Sequence, residues 1–301
     1  KIKYRSDAKE EYINHARKAV PLDLRDMKIV VDCAEGASFY TSIETLRELG
    51  ADVVAIHNNP DGTNINANCG STHMEELCAR VVYEKAALGL AFDGDADRLL
   101  AADENGKIVN GDEIMAIIGN YMKEKGTLKK DTIVATVMSN LGFFLMGKEK
   151  KIKIDQTKVG DRYVLEHMRE IGANLGGEQS GHIIFLDENT TGDGLLSALH
   201  LLQVMVESKK PLSELAKVME VLPQALYGAK VPNHKKESFM EYTEISDAIQ
   251  ALETKYAGDG RVLIRHSGTE PLVRVMIEGK DQSMIDRDAK ALAELIENTV
   301  M

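Results

Sequence analysis

The chain has 301 residues and a mass of 33.2 kDa, with 44% hydrophobic and 28% charged residues. This composition is typical of a folded globular protein of two or three domains, and it excludes a disordered or collagen-like chain. The 37 basic and 48 acidic residues give a net charge of 37 − 48 = −11. Such a charge argues against broad nucleic-acid binding but not against a local pocket for a small anion.

The chain contains no run of about 18 apolar residues, so we expect no membrane-spanning helix. Its first residues lack the apolar segment of a secretory signal. Three cysteines, Cys33, Cys69 and Cys78, match neither a zinc-binding spacing nor a disulfide framework. They are typical of reduced thiols in a cytoplasmic protein. Because the sequence begins with Lys1 rather than Met, we expect that an upstream part is missing.

Strand and helix patterns alternate through the first two thirds of the chain. The apolar runs at 28–32 and 88–92 predict buried strands, and the alternation predicts βαβ units with parallel strands. The pattern restarts after the turn at 103–106, where an amphipathic helix begins at Gly111 and ends before Gly126. The remaining predicted strands in this part are 51–56, 131–138 and 182–186, and the remaining helices are 37–49, 72–87, 161–171 and 195–206.

From Leu222 onward the pattern changes to that of a small α+β domain. Its predicted strands are 227–231, 261–265 and 272–277, and its predicted helices are 237–256 and 281–299. We therefore predict three domains, with boundaries 1–104, 105–221 and 222–301.

The strongest chemical signal is F-D-G-D-A-D-R, which directly follows the strand at 88–92. In an extended loop, Asp93, Asp95 and Asp97 point to the same side and can converge. Three close carboxylates repel one another unless a cation lies among them, and oxygen ligands suit Mg²⁺ or Ca²⁺. Arg98 beside such a cation favours a phosphate as the shared anion.

Other interpretations of this loop are an acidic surface loop, an EF-hand and a phosphatase with an aspartate nucleophile. Asp93, Asp95, Asp97 and Glu104 fill four EF-hand ligand positions. However, Arg98 stands where that motif needs glycine, and the flanking segments are strand-like. No threonine follows at the place expected for the phosphatase motif.

The segment R-H-S-G-T-E-P at 265–271 joins two predicted strands of the last domain. Arg265, two hydroxyl groups and the main-chain N–H groups around Gly268 can form an anion-binding nest. Arg274 lies in the next strand and can face the same anion. The alternative is a hairpin turn with incidental polar residues.

The segment G-G-E-Q-S-G-H at 176–182 is a polar loop bracketed by glycines. Glu178 and Ser180 in such a loop can bind neighbouring sugar hydroxyls, although a plain turn would show the same composition. A second polar segment, at 157–162, places Lys158, Asp161 and Arg162 at a helix start, where a phosphate is favoured.

These motifs, in this order and spacing, resemble those of the phosphohexomutase superfamily. The segments K-V-G-D-R-Y-V, G-E-Q-S-G-H and T-T-G-D-G look like its bacterial phosphoglucosamine mutase branch. The resemblance extends over the whole chain. It implies an α/β protein built from two related mixed-sheet α/β domains and a small C-terminal α+β domain, which correspond to domains two to four of a four-domain fold around one cleft.

The resemblance also implies roles for individual residues. Mg²⁺ would be bound by Asp93, Asp95 and Asp97. Arg98 would lie by the transferring phosphoryl group, with Asp161 as an acid–base candidate and Lys158 and Arg162 as its neighbours. The sugar would be held by Glu178, Gln179 and Ser180, and the non-reacting phosphate by Arg265, Ser267, Gly268, Thr269 and Arg274.

The reaction that the resemblance implies is the interconversion of glucosamine 6-phosphate and glucosamine 1-phosphate, which feeds UDP-N-acetylglucosamine and peptidoglycan synthesis. A phosphoserine bound to Mg²⁺ would donate its phosphoryl group, and a bisphosphate intermediate would turn over in the cleft. The implied protein is cytoplasmic, binds a sugar phosphate but no nucleic acid or membrane, and can form a homodimer. The alternatives are a sister mutase acting on mannose or glucose phosphates, and a Ca²⁺-binding interaction protein.

The sequence departs from the family pattern in two ways. His266 replaces the usual proline of R-P-S-G-T-E-P. The serine loop of the family, which reads like T-A-S-H-N-P, is not found, so we expect a fragment without the first domain and without turnover of its own. The segment His57-Asn-Asn-Pro60 is similar to the end of that loop but lacks the serine, and we interpret His57 as a loop histidine rather than a ligand.

Overall fold

The computed structural model describes residues 5–236, 238–258, 260–267 and 270–300. Its contacts divide the chain into two compact units. Unit 1 comprises Lys1–Ser139 and Phe143–Glu220, and unit 2 comprises Asn140–Gly142 and Val221–Met301. The three-domain boundaries near residues 104 and 221 stay predictions.

The first part of unit 1 is a five-stranded mixed sheet with helices packed on it. Its elements are α1 (Ala8–Ala19), β1 (Lys28–Asp32), α2 (Ser38–Glu48), β2 (Asp52–Ile56), a 3₁₀ helix (Gly70–Thr72), α3 (Glu75–Glu84), β3 (Leu88–Phe92), β4 (Leu99–Asp103) and β5 (Ile108–Val109). The strand order is β2-β1-β3-β4-β5, in which the first three strands are parallel and the last two antiparallel. Strand β3 is buried along its whole length, as its apolar sequence predicts.

The second part of unit 1 repeats this arrangement with four strands. Its elements are α4 (Gly111–Glu124), a 3₁₀ helix (Lys129–Asp131), β6 (Thr132–Thr136), α5 (Leu141–Lys150), β7 (Lys153–Thr157), α6 (Asp161–Ile171), β8 (Leu175–Gly177), β9 (Ile183–Phe185), α7 (Gly194–Ser208), α8 (Leu212–Leu215) and a 3₁₀ helix (Ala216–Val218). In the order β7-β6-β8-β9, three parallel strands again adjoin an antiparallel one. The prediction of related mixed-sheet α/β domains is thereby confirmed.

Unit 2 is an antiparallel sheet covered by two helices. Its elements are β10 (Gln224–Lys230), 3₁₀ helices (Asn233–Lys235 and Phe239–Glu241), α9 (Thr243–Tyr256), β11 (Arg261–His266), β12 (Leu272–Glu278) and α10 (Gln282–Val300). The strand order is β10-β12-β11. The predicted α+β class of this part is confirmed. Among the described residues, no helix is long and apolar enough to cross a bilayer.

The short segment Asn140–Gly142, which includes the first two residues of α5, belongs to unit 2 and is held there by specific hydrogen bonds. The Asn140 amide donates to the carbonyl oxygen of Leu222 at 2.9 Å and accepts from its N–H at 3.0 Å. Leu141 donates its N–H to Glu278 Oε1 at 3.2 Å. Glu278 is fully buried and ion-paired with Arg261, so burial raises its pKa while the guanidinium opposes that shift.

Candidate functional site

The three aspartates predicted to bind a metal lie in one loop, residues 93–98, which we call the acidic loop. It connects the antiparallel strands β3 and β4, whose pairing closes at Phe92 opposite Leu99. One oxygen from each of Asp93, Asp95 and Asp97 lies within 4.8 Å of the others. An oxygen-only set of this kind suits a hard divalent cation. Since strands rather than helices flank the loop, the EF-hand interpretation is wrong.

Asp93 is the most enclosed of the three, with 15% of its side chain exposed, compared with 33% for Asp97. Burial, followed by the charges of Asp97 and Asp95, raises the pKa of Asp93 to about 7, although the Arg98 N–H at 3.1 Å from Oδ1 acts against that shift. The Arg98 Nε atom lies 3.7 Å from both Asp93 Oδ2 and Asp97 Oδ1. One guanidinium cannot balance three carboxylates, so the loop favours a further cation.

His182 is a site residue that the sequence analysis did not single out. Its side chain is only 3% exposed, and Nε2 lies 3.4 Å from Asp97 Oδ2. A Cβ atom on Gly192 would come within 2.5 Å of the imidazole ring, so a glycine there leaves room for the ring beneath the acidic loop. The sequence feature that could have marked His182 as a site residue is its place at the end of the motif G-G-E-Q-S-G-H.

The predicted sugar-binding residues form the hairpin loop between β8 and β9, residues 178–181, which we call the sugar loop. Its glycine, Gly181, accepts a hydrogen bond from the Leu99 N–H at 3.0 Å, and Arg98 forms an antiparallel bridge with His182. Gly181 has a φ of +94°, and an added Cβ would lie 2.2 Å from the Leu99 carbonyl oxygen. The structure therefore joins the sugar loop to the end of the acidic loop through the main chain.

Within the sugar loop, Glu178 and Gln179 are half-buried and Ser180 is exposed. The Glu178 carboxylate accepts the Gly160 N–H at 3.0 Å. This bond brings the segment that carries Lys158 and Asp161 to the sugar loop, with both of those residues exposed.

Arg162 is placed differently from its neighbours. Its side chain is 80% exposed, and its Nε donates to Glu166 Oε1 at 2.7 Å, one turn along α6. The structure therefore pairs this guanidinium along its own helix rather than with the sugar loop.

A cleft of about 420 Å³ opens beside the acidic loop. Its wall includes Asp95, Asp97, Thr41 of α2 and Asn189. This volume lies within the range of small-molecule sites. Its lining combines carboxylate, hydroxyl and amide groups with apolar side chains such as Leu195.

The predicted phosphate-binding residues lie in unit 2. Arg265 and Arg274 stand directly opposite each other in the β11–β12 pair. Burial and the neighbouring Arg274 charge lower the pKa of Arg265. Ser267 is buried, and its hydroxyl accepts the Glu270 N–H at 3.1 Å. Arg274 also donates to Glu270 Oε2 at 2.9 Å.

Two further predicted residues, Gly268 and Thr269, lie outside the described residues. The structure adds one cation that the sequence analysis missed. Lys236 is 8% exposed, and its Nζ donates to the Ser267 carbonyl oxygen at 2.9 Å. No motif marks this lysine, because it comes from a separate loop that only the fold brings to this hairpin.

Sequence models of one family match most of the chain. They are described as phosphoglucomutase/phosphomannomutase alpha/beta/alpha domain II at residues 10–106, alpha/beta/alpha domain III at 110–222, and the C-terminal domain at 201–295. The phosphoglucosamine mutase of Clostridium acetobutylicum is 59% identical over 96% of this chain and 65% of its own length. That of Acetivibrio thermocellus is 56% identical over 96% of this chain and 64% of its own length. The chain thus spans about 65% of these relatives.

Solved structures share the fold at low sequence identity. A phosphoglucomutase/phosphomannomutase family protein from Burkholderia thailandensis has a TM-score of 0.78 and 22% identity, covering 97% of this chain and 65% of its own. An Aspergillus fumigatus N-acetylphosphoglucosamine mutase, solved with GlcNAc-6P and magnesium, has a TM-score of 0.77 and 19% identity, covering 100% and 68%. With the domain matches and the close sequence relatives, these findings show that the chain belongs to the phosphoglucomutase/phosphomannomutase family, the phosphohexomutases.

Proposed function

We propose that this chain supplies the metal-, sugar- and phosphate-binding parts of a phosphoglucosamine mutase, which interconverts glucosamine 6-phosphate and glucosamine 1-phosphate. The observation that carries the proposal is the convergence of three carboxylates and Arg98 in a loop bonded directly to the sugar loop. Relatives named phosphoglucosamine mutase at 56–59% identity support the amino sugar as substrate. Phosphoryl transfer depends mainly on positioning and on neutralising charge, and both are available here.

The acidic loop would hold Mg²⁺ through Asp93, Asp95 and Asp97. The fit rests on the donor set itself, because three carboxylates with oxygens within 4.8 Å of one another match the ligands of a hard cation. When bound, Mg²⁺ would neutralise charge on a phosphoryl oxygen. Magnesium is also present in the solved complex of the Aspergillus relative.

The side chains around the loop would orient the substrate. Arg98, the last residue of the acidic loop, is 43% exposed and would contact the transferring phosphoryl group. Glu178, Gln179 and Ser180 would bind sugar hydroxyls, with Glu178 already oriented by the Gly160 N–H. The exposed segment beside Glu178 supplies Asp161 as the acid–base candidate, with Lys158 and Arg162 as cationic neighbours.

The phosphate that does not react would be held by Arg265, Arg274 and Ser267, together with Gly268 and Thr269. Two guanidinium groups opposite each other repel, and an anion between them removes that repulsion. Lys236 adds positive charge at the base of the same hairpin.

Calorimetric titration of the chain with glucosamine 6-phosphate in the presence of Mg²⁺ tests the proposal. We expect Arg265→Gln to weaken binding by about 10- to 100-fold, because a charge-assisted contact of about 1.5–3 kcal/mol is lost. The matched control is Arg287→Gln, an exposed arginine of unit 2 with 70% of its side chain in solvent. Equal binding by both variants, or no binding by the unsubstituted chain, would contradict the proposal.

Two alternatives are outcomes of the same experiment. A panel of glucosamine, glucose and mannose phosphates would identify a sister mutase if the neutral sugars bind better. Tight Ca²⁺ binding that is indifferent to sugar phosphate would instead favour a Ca²⁺-binding interaction protein.

We also propose that the protein acts in the cytoplasm on a sugar phosphate. The predicted homodimer is tested by light scattering, where a mass of one chain would contradict it.

A further inference from the structure

Three potential metal ligands from separate segments meet at one point in unit 1, apart from the acidic loop. Asp32 ends β1, His57 follows β2, and Cys69 precedes the 3₁₀ helix at Gly70–Thr72. One ligand atom from each lies within 4.8 Å of the others. Asp32 and Cys69 are fully buried, whereas His57 is 21% exposed and so leaves a path from solvent.

The Asp32 carboxylate is fixed by the surrounding main chain. Its Oδ1 accepts the Ala34 N–H at 2.8 Å, and its Oδ2 accepts the Gly70 N–H at 2.9 Å. Each carboxylate oxygen has two lone pairs, so the Asp32 carboxylate can bind a further partner besides these two N–H groups. That partner in the structure is His57, whose Nδ1 lies 3.0 Å from Oδ2.

The other nitrogen of the His57 ring faces a second carboxylate, with Nε2 lying 3.2 Å from Glu76 Oε2. A metal at Nδ1 would take the place of the proton that Nδ1 shares with Asp32 Oδ2, and the remaining ring proton on Nε2 would be donated to Glu76. A carboxylate that holds the outer N–H of an imidazole is the usual companion of a metal-bound histidine. The ring is therefore already oriented as a ligand.

The electrostatic setting also favours a cation. Burial and the charges of Asp32, Glu35 and Glu76 raise the pKa of the Cys69 thiol to about 11. Three carboxylates therefore lie near this thiol, and their negative charge favours a cation among them.

We propose that Asp32, His57 and Cys69 bind a thiophilic divalent cation, Zn²⁺, with water as the fourth ligand and Glu76 as the hydrogen-bond partner of His57. Carboxylate, imidazole and thiolate together suit zinc, whereas Mg²⁺ prefers oxygen ligands alone. Binding releases the Cys69 proton. His57 is then a ligand, contrary to its interpretation as a loop histidine.

Cobalt substitution gives a direct readout that does not depend on enzymatic activity. The purified chain is first treated with a chelator and then titrated with Co²⁺ in excess Mg²⁺, which occupies oxygen-only sites. We expect one equivalent of Co²⁺ to produce the ultraviolet charge-transfer band of a cobalt–thiolate bond, and Zn²⁺ to remove it. Cys69→Ser should abolish the band, whereas the matched control Cys78→Ser, a half-buried cysteine outside the cluster, should retain it.

Two further variants test the role of Glu76 and show whether the acidic loop contributes to cobalt binding. Glu76→Gln should keep the band but lower the cobalt affinity by about 10- to 100-fold. Asp95→Asn, in the acidic loop, should change neither the band nor the affinity. Circular dichroism establishes that each variant is folded. If Cys69→Ser does not fold, His57→Gln removes a ligand whose side chain is 21% exposed, and it should weaken cobalt binding; an unchanged affinity would overturn the proposal.

The absence of a band at saturating Co²⁺ would overturn the proposal. The hydrogen bond between Asp32 and His57 would then have a structural role alone. A band that survives Cys69→Ser, or that is lost equally in Cys78→Ser, would overturn it as well.

Discussion

Asp93 is the carboxylate in which metal binding and proton binding compete most directly. Burial raises its pKa to about 7, so the folded chain binds this proton more tightly than the unfolded chain does. Without a cation, the free energy of unfolding should therefore fall as the pH rises from the usual carboxyl range toward about 7. A bound cation reverses this trend by stabilising the ionised form.

We predict that Mg²⁺ affinity rises with pH until about 7 and then levels off. The slope below that pH should approach about tenfold per pH unit, the value for one displaced proton. Calorimetry across this pH range measures the slope. Asp93→Asn should weaken binding and flatten the slope. A slope of unchanged steepness in Asp93→Asn would assign the proton to another group.

A substitution at Gly181 tests whether the contact between the sugar loop and β4 requires a glycine. Its φ is +94°, and a Cβ would lie 2.2 Å from the Leu99 carbonyl oxygen. Gly62 has a similar φ of +86° but nothing within 4 Å of an added Cβ. Gly62→Ala should therefore cost about 1–2 kcal/mol for the backbone conformation alone. Gly181→Ala should cost about 1–3 kcal/mol more, because the contact must open.

Chemical denaturation monitored by circular dichroism compares the two glycine variants. Equal losses of unfolding free energy would show that the close approach at Leu99 contributes nothing. Gly181→Ala should also weaken sugar-phosphate binding, whereas Gly62→Ala should not.

Individual residues differ in how far the sequence could predict their placement. Asp93, Asp95 and Asp97 are close in the chain, so their alternation alone predicts the convergence that the structure shows. His182 and Lys236 reach their positions only through the pairing of distant segments, which local spacing does not encode. The roles predicted for the site residues stay predictions.

At the scale of secondary structure, α7 begins next to the acidic loop. Asp193 caps the helix by accepting the Leu196 N–H at 3.0 Å, and it also accepts the hydroxyl of Tyr12, in α1, at 2.7 Å. The Gly194 N–H donates to the Ala96 carbonyl oxygen of the acidic loop at 3.0 Å. The start of this helix is thus tied to both α1 and the metal-binding loop.

We predict that Tyr12→Phe lowers the free energy of unfolding by about 1.5–3 kcal/mol, because a hydrogen bond to a buried charged group is removed. Tyr83→Phe is the matched control, since its ring is 79% exposed, and it should change stability by less than about 0.5 kcal/mol. Thermal unfolding of both variants measures the difference. Indistinguishable melting temperatures would contradict a stabilising role for the Tyr12–Asp193 bond.

The elements that the sequence predicted best have strong apolar runs or periodicity. The bounds of β1, β3 and α6 agree with the predicted ranges. For strand β8 the sequence predicts a loop, because two of its three residues are glycines. Packing requires a glycine at Gly176, since an added Cβ would lie 2.8 Å from the Val134 carbonyl oxygen. Helix α1 was missed because it is mostly polar and buries little apolar surface.

At the scale of the whole molecule, the described residues form four hydrophobic clusters, and no cluster contains residues of both units. Three of them lie between the sheets and helices of unit 1, and the fourth lies beneath the sheet of unit 2. The proposed Mg²⁺ ligands belong to unit 1, and the paired arginines Arg265 and Arg274 belong to unit 2. Each ligand should therefore stabilise its own unit.

We predict two transitions in scanning calorimetry, with Mg²⁺ raising one and inorganic phosphate the other. At 100 times the dissociation constant, each ligand should add about 2.7 kcal/mol to its own unit. Asp95→Asn should abolish only the magnesium effect, and Arg265→Gln only the phosphate effect. One transition that responds to both ligands would contradict independent cores.

The segment Asn140–Gly142 has a consequence for recombination between relatives. These residues pack with unit 2, although the chain on both sides of them belongs to unit 1. A chimaera joined near residue 220 would inherit Leu222 and Glu278 from one parent but Asn140 from the other. Viable exchanges of unit 2 should therefore carry residues 140–142 along with the C-terminal part, which takes three junctions in the chain rather than one.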